Sequence, residues 1–189
     1  MIRRPSLDQI NKELNRLKKR KAYLSAFKGT IWILIVAASL SIICSTFFVT
    51  VLDIQGNSME PTLNDSELVL TVKNSSMETG DIVAFYYNNK ILLKRVIGVP
   101  GDWINIERDG TVYVNSIMLE EPYVQNKKLG DCDLTFPYQV PENRIFVLGD
   151  HRDVSIDSRN EAIGTIAKEQ ILGEVFIRVW PLGRIGRVK

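Results

Sequence analysis

The sequence is poor in the residues from which disulfide frameworks and histidine-based sites are built. Its 189 residues include two cysteines and one histidine. Cys44 lies inside an apolar run and Cys132 lies far beyond it, so we expect no disulfide between them. A small domain stapled by disulfides is therefore excluded, and the part of the chain that follows the apolar run has to be held together by a hydrophobic core.

Acidic residues are scarce at the start of the chain. Residues 1–28 contain nine Lys and Arg against two acidic residues, a net charge of +7, whereas the whole chain carries +2, which leaves about −5 for residues 29–189. Nucleic-acid binding needs clustered cations that meet phosphates, so the larger, acidic part is a poor candidate for it. Apolar residues spaced by three and four predict a basic helix over residues 6–28. This helix is either a cytoplasmic flank that faces lipid headgroups or a solvated basic tail.

Charge is absent altogether from residues 29–52. A helix of that length reaches about 36 Å, enough to cross a hydrocarbon core of about 30 Å with some tilt. A cleaved export signal has an apolar region of only about 7–15 residues, so the length favours a retained anchor. By the positive-inside rule, residues 1–28 are expected in the cytoplasm and residues 53–189 outside it, which makes the chain a single-pass protein of the cell membrane.

After Asp53 the pattern changes to short runs of β-forming residues separated by turn signals. Asn88-Asn89 predicts a hairpin turn, and Arg108-Asp109-Gly110 predicts a second one. Residues 120–142 contain three prolines and predict an irregular excursion, and residues 158–170 leave room for one short helical turn. No internal repeat or low-complexity tract is present. We therefore expect a mostly β domain over residues 53–189.

Two residues in this domain are candidates for a catalytic role. Ser58 lies in a Gly-Asn-Ser turn, and such a serine is usually only a turn residue. Lys94 lies within an apolar strand, where alternation places Lys94 and Arg95 on opposite faces, so one of the two cations shares an apolar face. Such a lysine either snorkels to water or is buried and loses its charge. A neutral lysine can accept the proton of a serine, which makes a nucleophile and base without histidine.

A third polar element follows the apolar run that ends at Leu148. Residues 149–159 contain three aspartates, three cationic or histidine side chains and two serines. Taken alone, this pattern is typical of a polar surface loop with local ion pairs. Its position directly after a strand is also typical of an active-site loop.

Together, the elements form an ordered series of motifs after a single anchor. The motifs are Ser58-Met59-Glu60-Pro61-Thr62-Leu63, Gly80-Asp81-Ile82-Val83-Ala84-Phe85, Lys94-Arg95-Val96-Ile97-Gly98-Val99-Pro100-Gly101-Asp102, the loop Gly149 to Arg159, and Arg178-Val179-Trp180-Pro181-Leu182. In this series the chain resembles the type I signal peptidases, Ser/Lys endopeptidases that remove signal peptides from exported proteins. The resemblance covers the anchor and essentially all of residues 53–189. The short spacing is similar to that of the compact enzymes of Gram-positive bacteria.

The resemblance implies a role for each matching residue. Ser58 would be the nucleophile and Lys94 the general base. Ser155 matches the family serine that orients the lysine amine, and Asp157 with Arg159 matches the pair that holds the loop in place. The N–H of Ser58 would stabilise the oxyanion. Some members add a serine hydroxyl two residues before the nucleophile, but that position is glycine here, so the second donor is left open.

The resemblance also implies substrate pockets and a use for the single histidine. The family prefers small residues at the first and third positions before the cut, and Ile54, Leu63 and Leu93 are the candidates to line those pockets. Their ordinary alternative is a place in the core. His151 lies between two aspartates and invites a Ser-His-Asp interpretation, but a loop that already serves a lysine base favours a surface histidine.

The resemblance therefore predicts a membrane-anchored signal peptidase that cleaves preproteins after an Ala-X-Ala type sequence, with no cofactor and no metal. Two alternatives stay open. One is a related membrane Ser/Lys protease with a narrow substrate set, such as pilin processing, and the other is a non-catalytic membrane scaffold of the same fold. The expected partners are signal peptides and the phospholipid membrane, without nucleic acid. The sequence leaves the oligomeric state unknown.

Overall fold

The computed structural model describes residues 7–73 and 76–188. The chain divides into two compact units, Met1–Phe47 and Phe48–Lys189. The first contains one long helix, and the second contains all the strands that the described residues form.

The first unit is a single α-helix, α1, over Leu7–Phe48. Residues 7–28 of the basic segment and most of the charge-free run are thus one continuous helix, and the predicted helix start at residue 6 lies outside the described residues. Its stretch Asn11–Ile43 is long and apolar enough to cross a membrane by length and composition. The helix ends four residues before the end of the expected span of residues 29–52. Val49, Thr50 and Val51 are three consecutive β-branched residues, which favour an extended backbone, and residues 49–52 pair with a neighbouring strand.

The second unit is built from twelve short strands. Their bounds are β1 Val49–Asp53, β2 Leu68–Val72, β3 Ile82–Tyr87, β4 Lys90–Gly98, β5 Trp103–Ile106, β6 Val112–Val114, β7 Ile117–Met118, β8 Tyr138–Gln139, β9 Arg144–Leu148, β10 Ile166–Ala167, β11 Ile171–Trp180 and β12 Gly186–Arg187. Short 3₁₀ turns cover Lys168–Gln170 and Leu182–Arg184. The prediction of a mostly β domain after one apolar helix is confirmed.

The strands form two sheets with antiparallel pairing. The large sheet has the order β1-β2-β11-β3-β4-β9-β10, with β12 beside β11, and the small sheet has the order β7-β6-β5-β8. The Asn88-Asn89 turn joins β3 to β4 with φ angles of 42° and 59°, as a two-residue hairpin turn requires. The predicted hairpin around Gly110 joins β5 to β6. The predicted excursion contains only the two-residue strand β8.

Three clusters of buried apolar side chains form the core of the β unit. One of them includes Leu52, Met59, Leu63 and Leu93, and so packs the turn around Ser58 against β4. A second lies under the small sheet around Ile104 and Phe146, and a third lies around Phe85 and Val147. The strands β3, β4 and β9 are buried over most of their length, which places the middle of β4 deep in the domain.

Candidate active site

Ser58 lies in a tight turn a few residues after β1. The Glu60 N–H donates to the carbonyl of Asn57 at 3.2 Å, which closes the turn around the serine. Gly56 precedes it with a φ of 92°, a conformation that favours glycine. The Gly56 N–H donates to Asp65 Oδ1 at 2.7 Å. This bond, with a second one from the Ser66 hydroxyl, holds the pKa of Asp65 below its ordinary value and anchors the turn.

Lys94 lies in the middle of β4 with only 3% of its surface exposed. Its Nζ lies 2.7 Å from Ser58 Oγ, although the two residues are 36 positions apart. Burial lowers the pKa of Lys94 to about 8, since desolvation disfavours the charged amine. The charges of Asp157 and Asp150 raise the pKa of Lys94, and the charge of Arg159 lowers it. About a tenth of the amine is therefore neutral at pH 7.

Arg95, the neighbour of Lys94, is also buried. Alternation predicted one cation on an apolar face, whereas the structure buries both, with Arg95 1% exposed. The guanidinium of Arg95 is accommodated because it is paired. It donates to Asp150 at 2.9 and 2.6 Å and to the carbonyl of Gly80 at 2.7 Å, and it stacks 3.8 Å above the ring of Tyr123. The charge that burial would leave unpaired is thereby compensated.

Asp150 joins this arginine to the segment that follows Ser58. The hydroxyl of Thr62 donates to Asp150 Oδ2 at 2.5 Å. Thr62 comes four residues after Ser58, and Arg95 comes directly after Lys94. A single buried carboxylate therefore connects the turn that carries the serine with the strand that carries the lysine.

Asp157 and Arg159 form a buried ion pair within the loop of residues 149–159. Arg159 Nε and Nη2 lie 2.8 and 2.9 Å from the two carboxylate oxygens of Asp157. Asp157 also accepts the N–H of Gly149 at 2.9 Å, and Arg159 donates to the carbonyl of Leu129 at 2.5 Å. The pair thus fixes both ends of the loop and joins it to the excursion.

Ser155 is buried close to the reacting groups, but its hydroxyl is not bonded to the lysine amine. Ser155 Oγ makes no hydrogen bond to any residue in the described part of the chain. It lies against the α-carbon of Gly149, where an added Cβ would come within 2.1 Å of Ser155 Oγ and 2.6 Å of the Ser58 carbonyl oxygen. The orienting hydrogen bond that the resemblance implied is therefore missing from this arrangement.

His151 lies beside the serine without reaching its hydroxyl. Its ring Nδ1 lies 3.3 Å from the carbonyl of Asn57 and 3.9 Å from a carboxylate oxygen of Glu60. Among the described residues, the side-chain partner of Ser58 Oγ is Lys94. The histidine ring makes no hydrogen bond to the serine hydroxyl among the described residues, as the preference for a surface histidine anticipated.

The three candidate pocket residues are brought together. Ile54, Leu63 and Leu93 are all buried and belong to the same apolar cluster. Leu93 directly precedes Lys94, and Leu63 ends the segment that begins at Ser58. The cluster therefore includes sequence neighbours of both Ser58 and Lys94, and the use of these side chains for substrate binding stays a prediction.

Sequence reasoning missed several residues that hold the site. Glu121 is buried and forms a short ion pair with Arg152, which in turn donates to the carbonyl of Gly149 at 3.1 Å. Glu121 lies in the irregular excursion, where no periodic pattern marks a buried acid. Gly149 and Thr62 stand inside the quoted motifs, but their importance lies in close contacts that spacing does not reveal. Within the described residues, no group of three or more His, Cys, Asp or Glu could hold a metal ion.

A β domain that buries a lysine amine against a serine hydroxyl has the arrangement of a serine hydrolase site. The family model described as signal peptidase, peptidase S26, matches residues 27–180. Signal peptidase IB of Staphylococcus aureus is 40% identical over 173 residues, which cover 79% of this chain and 88% of that protein. Signal peptidase I of Bacillus amyloliquefaciens is 35% identical over 191 residues, which cover 95% of this chain and 100% of that protein.

A crystal structure of a signal peptidase I from Enterococcus faecalis is also similar, at 31% identity and a TM-score of 0.46, covering 53% of this chain and 97% of that chain. The family match spans most of the chain and includes every residue of the candidate site. The chain belongs to the signal peptidase family, peptidase S26. It is a serine endopeptidase of the kind that removes signal peptides.

Proposed function

We propose that this protein is a membrane-anchored endopeptidase that removes N-terminal signal peptides from exported preproteins with a Ser58/Lys94 dyad. The observation that carries the proposal is the 2.7 Å separation between the serine hydroxyl and a buried amine. Burial matters as much as distance, because it disfavours the charged ammonium, which cannot accept a proton. With a pKa of about 8, the amine of Lys94 is neutral often enough to act as a base.

The proposed reaction is an acyl transfer in two steps. Neutral Lys94 accepts the hydroxyl proton of Ser58 while the serine oxygen attacks the scissile carbonyl carbon. The ammonium formed then gives that proton to the leaving amine, and an acyl-enzyme remains. Lys94 next takes a proton from water, whose oxygen attacks the ester carbonyl, and returns the proton to Ser58 as the signal peptide is released.

The oxyanion of each tetrahedral intermediate needs donors that are already in place. The N–H of Ser58 makes no hydrogen bond within the described residues, and it adjoins the attacking hydroxyl. We assign it as one donor of the oxyanion hole. Gly56 has no side chain to supply a second donor, so any second donor is a backbone N–H or a water molecule.

We propose that the shallow pocket for small substrate residues is lined by Ile54, Leu63 and Leu93. Support comes from their shared cluster and from their places next to the two reacting residues. A shallow pocket with such apolar walls would accept a methyl group but not a large side chain. Such a pocket would select alanine at the first and third positions before the cut.

We further propose that α1 anchors the protein in the cell membrane, with residues 1–28 in the cytoplasm and residues 53–189 outside. The support is the length and hydropathy of the helix and the strongly basic segment before the apolar run. In this topology the proposed partners are the signal peptide of the preprotein and the lipid bilayer.

The decisive experiment mixes the purified full-length protein in detergent with a peptide whose signal ends in Ala-X-Ala and identifies the products by mass. We expect one cut after the second alanine, and we expect Ser58→Ala and Lys94→Arg to abolish it. An arginine keeps its proton and cannot act as the base. The matched controls are Ser116→Ala, at an exposed turn, and Lys90→Arg, at the exposed start of the same strand, and both should keep full activity.

Each alternative predicts a different result in the same experiment. A scaffold of the same fold cuts none of the peptides. A protease with a narrow substrate set cuts one of a panel of unrelated signal peptides and leaves the others intact. Full activity in the Lys94→Arg variant would remove lysine from the mechanism altogether.

A further inference from the structure

The basic end of α1 carries a narrow apolar stripe that the proposed peptidase activity does not use. Over residues 7–20 the apolar positions are 7, 10, 14 and 17, and all ten other positions are polar or charged. The side chains of Leu7, Leu14 and Leu17 are exposed, as is Leu24 one heptad after Leu17, with between 47% and 80% of their surface accessible. These leucines therefore lie on the open surface of α1.

The width of the stripe indicates what kind of surface covers it. A helix that lies on a bilayer or packs on a globular core has apolar residues on about three positions of every seven. Here only two of every seven are apolar, at the alternating three- and four-residue spacing of a coiled-coil seam. Polar residues flank the seam closely on both sides, which disfavours burial in lipid.

The charges beside the seam identify the partner. In this heptad register the first core positions are Leu7, Leu14 and Lys21, and the second core positions are Ile10, Leu17 and Leu24. Glu13 then takes a flanking position that faces residue 18 of a parallel partner helix. In a second copy of this chain that residue is Lys18, an opposite charge. Two copies therefore form two attractive Glu13–Lys18 pairs, and no flanking pair of this register brings like charges together.

We propose that the protein forms a dimer through a parallel two-stranded coiled coil over Leu7–Leu24. The parallel orientation rests on the proposed anchoring, because two copies inserted the same way in one bilayer present parallel helices. Lys21 at a core position costs stability but favours a two-stranded assembly. The seam is short, and confinement of both copies to one membrane supplies the high effective concentration that it needs.

The test is cysteine crosslinking of the full-length protein in lipid vesicles, in a background of Cys44→Ala and Cys132→Ser. Leu17→Cys places a thiol in the seam, and the matched control Lys19→Cys places one on the opposite side of the same turn. We expect interchain disulfides to form at least fivefold faster at position 17. Equal rates at the two positions would mean random collision and would overturn the proposal.

A charge exchange tests the register independently. In the Leu17→Cys protein, Glu13→Lys should slow crosslinking several-fold, and addition of Lys18→Glu should restore it. An unchanged rate in Glu13→Lys would contradict the proposed pairing. Crosslinking that occurs in neutral vesicles and disappears in anionic vesicles would assign the stripe to lipid. Crosslinking only to another protein in native membranes would assign it to a different partner. Either result would overturn the proposed dimer. Peptide cleavage, measured on the same vesicles, reports separately on the proposed catalytic function.

Discussion

The carbonyl oxygen of Ser58 accepts a hydrogen bond from the N–H of His151 at 3.1 Å. The two residues lie on different segments, the turn after β1 and the loop after β9. The bond therefore fixes the backbone of the proposed nucleophile to the loop that also contains Asp150 and Asp157. Precise placement of a serine needs such second contacts, since a small displacement of the reacting oxygen costs much of the rate.

Gly149→Ala should disrupt this contact. The added Cβ would meet Ser155 Oγ at 2.1 Å and the Ser58 carbonyl oxygen at 2.6 Å, so the loop has to move away from the serine. We expect at least a tenfold loss of kcat/KM and a destabilisation of about 1–3 kcal/mol. Peptide cleavage and thermal unfolding measure the two effects. The control Gly183→Ala meets no atom within 4 Å and should change neither; activity retained in Gly149→Ala would show that the loop does not position the serine.

His151→Ala should keep most of the activity. The hydrogen bond to Ser58 comes from the backbone, which alanine preserves, and the histidine ring contacts Asn57 and Glu60. We expect kcat/KM within about fivefold of the parent protein in the peptide assay. A loss of kcat/KM by several orders of magnitude, comparable to that of Ser58→Ala, would instead support a Ser-His-Asp triad.

Most of the fold was predictable from the sequence because its signals are local. The charge-free run, the Asn88-Asn89 turn and the glycine at position 110 act through a few neighbouring residues. The end of the helix was placed too late, because residues 49–52 are as apolar as a membrane helix. Their pairing with β2 decides their conformation, and a hydropathy pattern does not show which segments pair.

The contact between Ser58 and Lys94 was predictable from the sequence, but the residues that surround the pair were largely not. Ser58 and Lys94 stand in motifs that the sequence displays directly. The burial of Arg95 depends on Asp150 and Tyr123, which come from two distant segments, and the same holds for Glu121 with Arg152. Partners at such distances are selected by tertiary packing, so residue spacing alone does not reveal them.

Leu93→Ala should widen the range of residues accepted before the cut. Removal of the side chain enlarges the proposed pocket, so the kcat/KM ratio of a valine-containing to an alanine-containing peptide should rise at least fivefold. The control is Leu172→Ala, because both leucines are 9% exposed members of the same cluster. Each variant should lose about 2–5 kcal/mol of stability as a buried leucine is truncated. An equal change of selectivity in both variants, or in neither, would remove Leu93 from the pocket.

Asp157→Asn should move the pH dependence of cleavage to lower pH. The carboxylate of Asp157 raises the pKa of Lys94, so its neutralisation lets that pKa fall further. The variant should also be less stable by about 3–5 kcal/mol, because Arg159 stays buried without its partner. The control is Asp153→Asn, whose carboxylate pairs with the exposed Lys128, and it should leave the pH midpoint unchanged. A shift toward higher pH would contradict the assignment of Lys94 as the titrating base.

The pH dependence of kcat/KM tests the neutral lysine base most directly, because it reports the ionisation of the free enzyme. If Lys94 must lose its proton to act, kcat/KM rises about tenfold per pH unit below its pKa and levels off above about 8. The same rise of kcat/KM with pH should persist in the His151→Ala variant. A profile that rises near 6.5 instead, the ordinary pKa of histidine, and flattens in His151→Ala would contradict a lysine base.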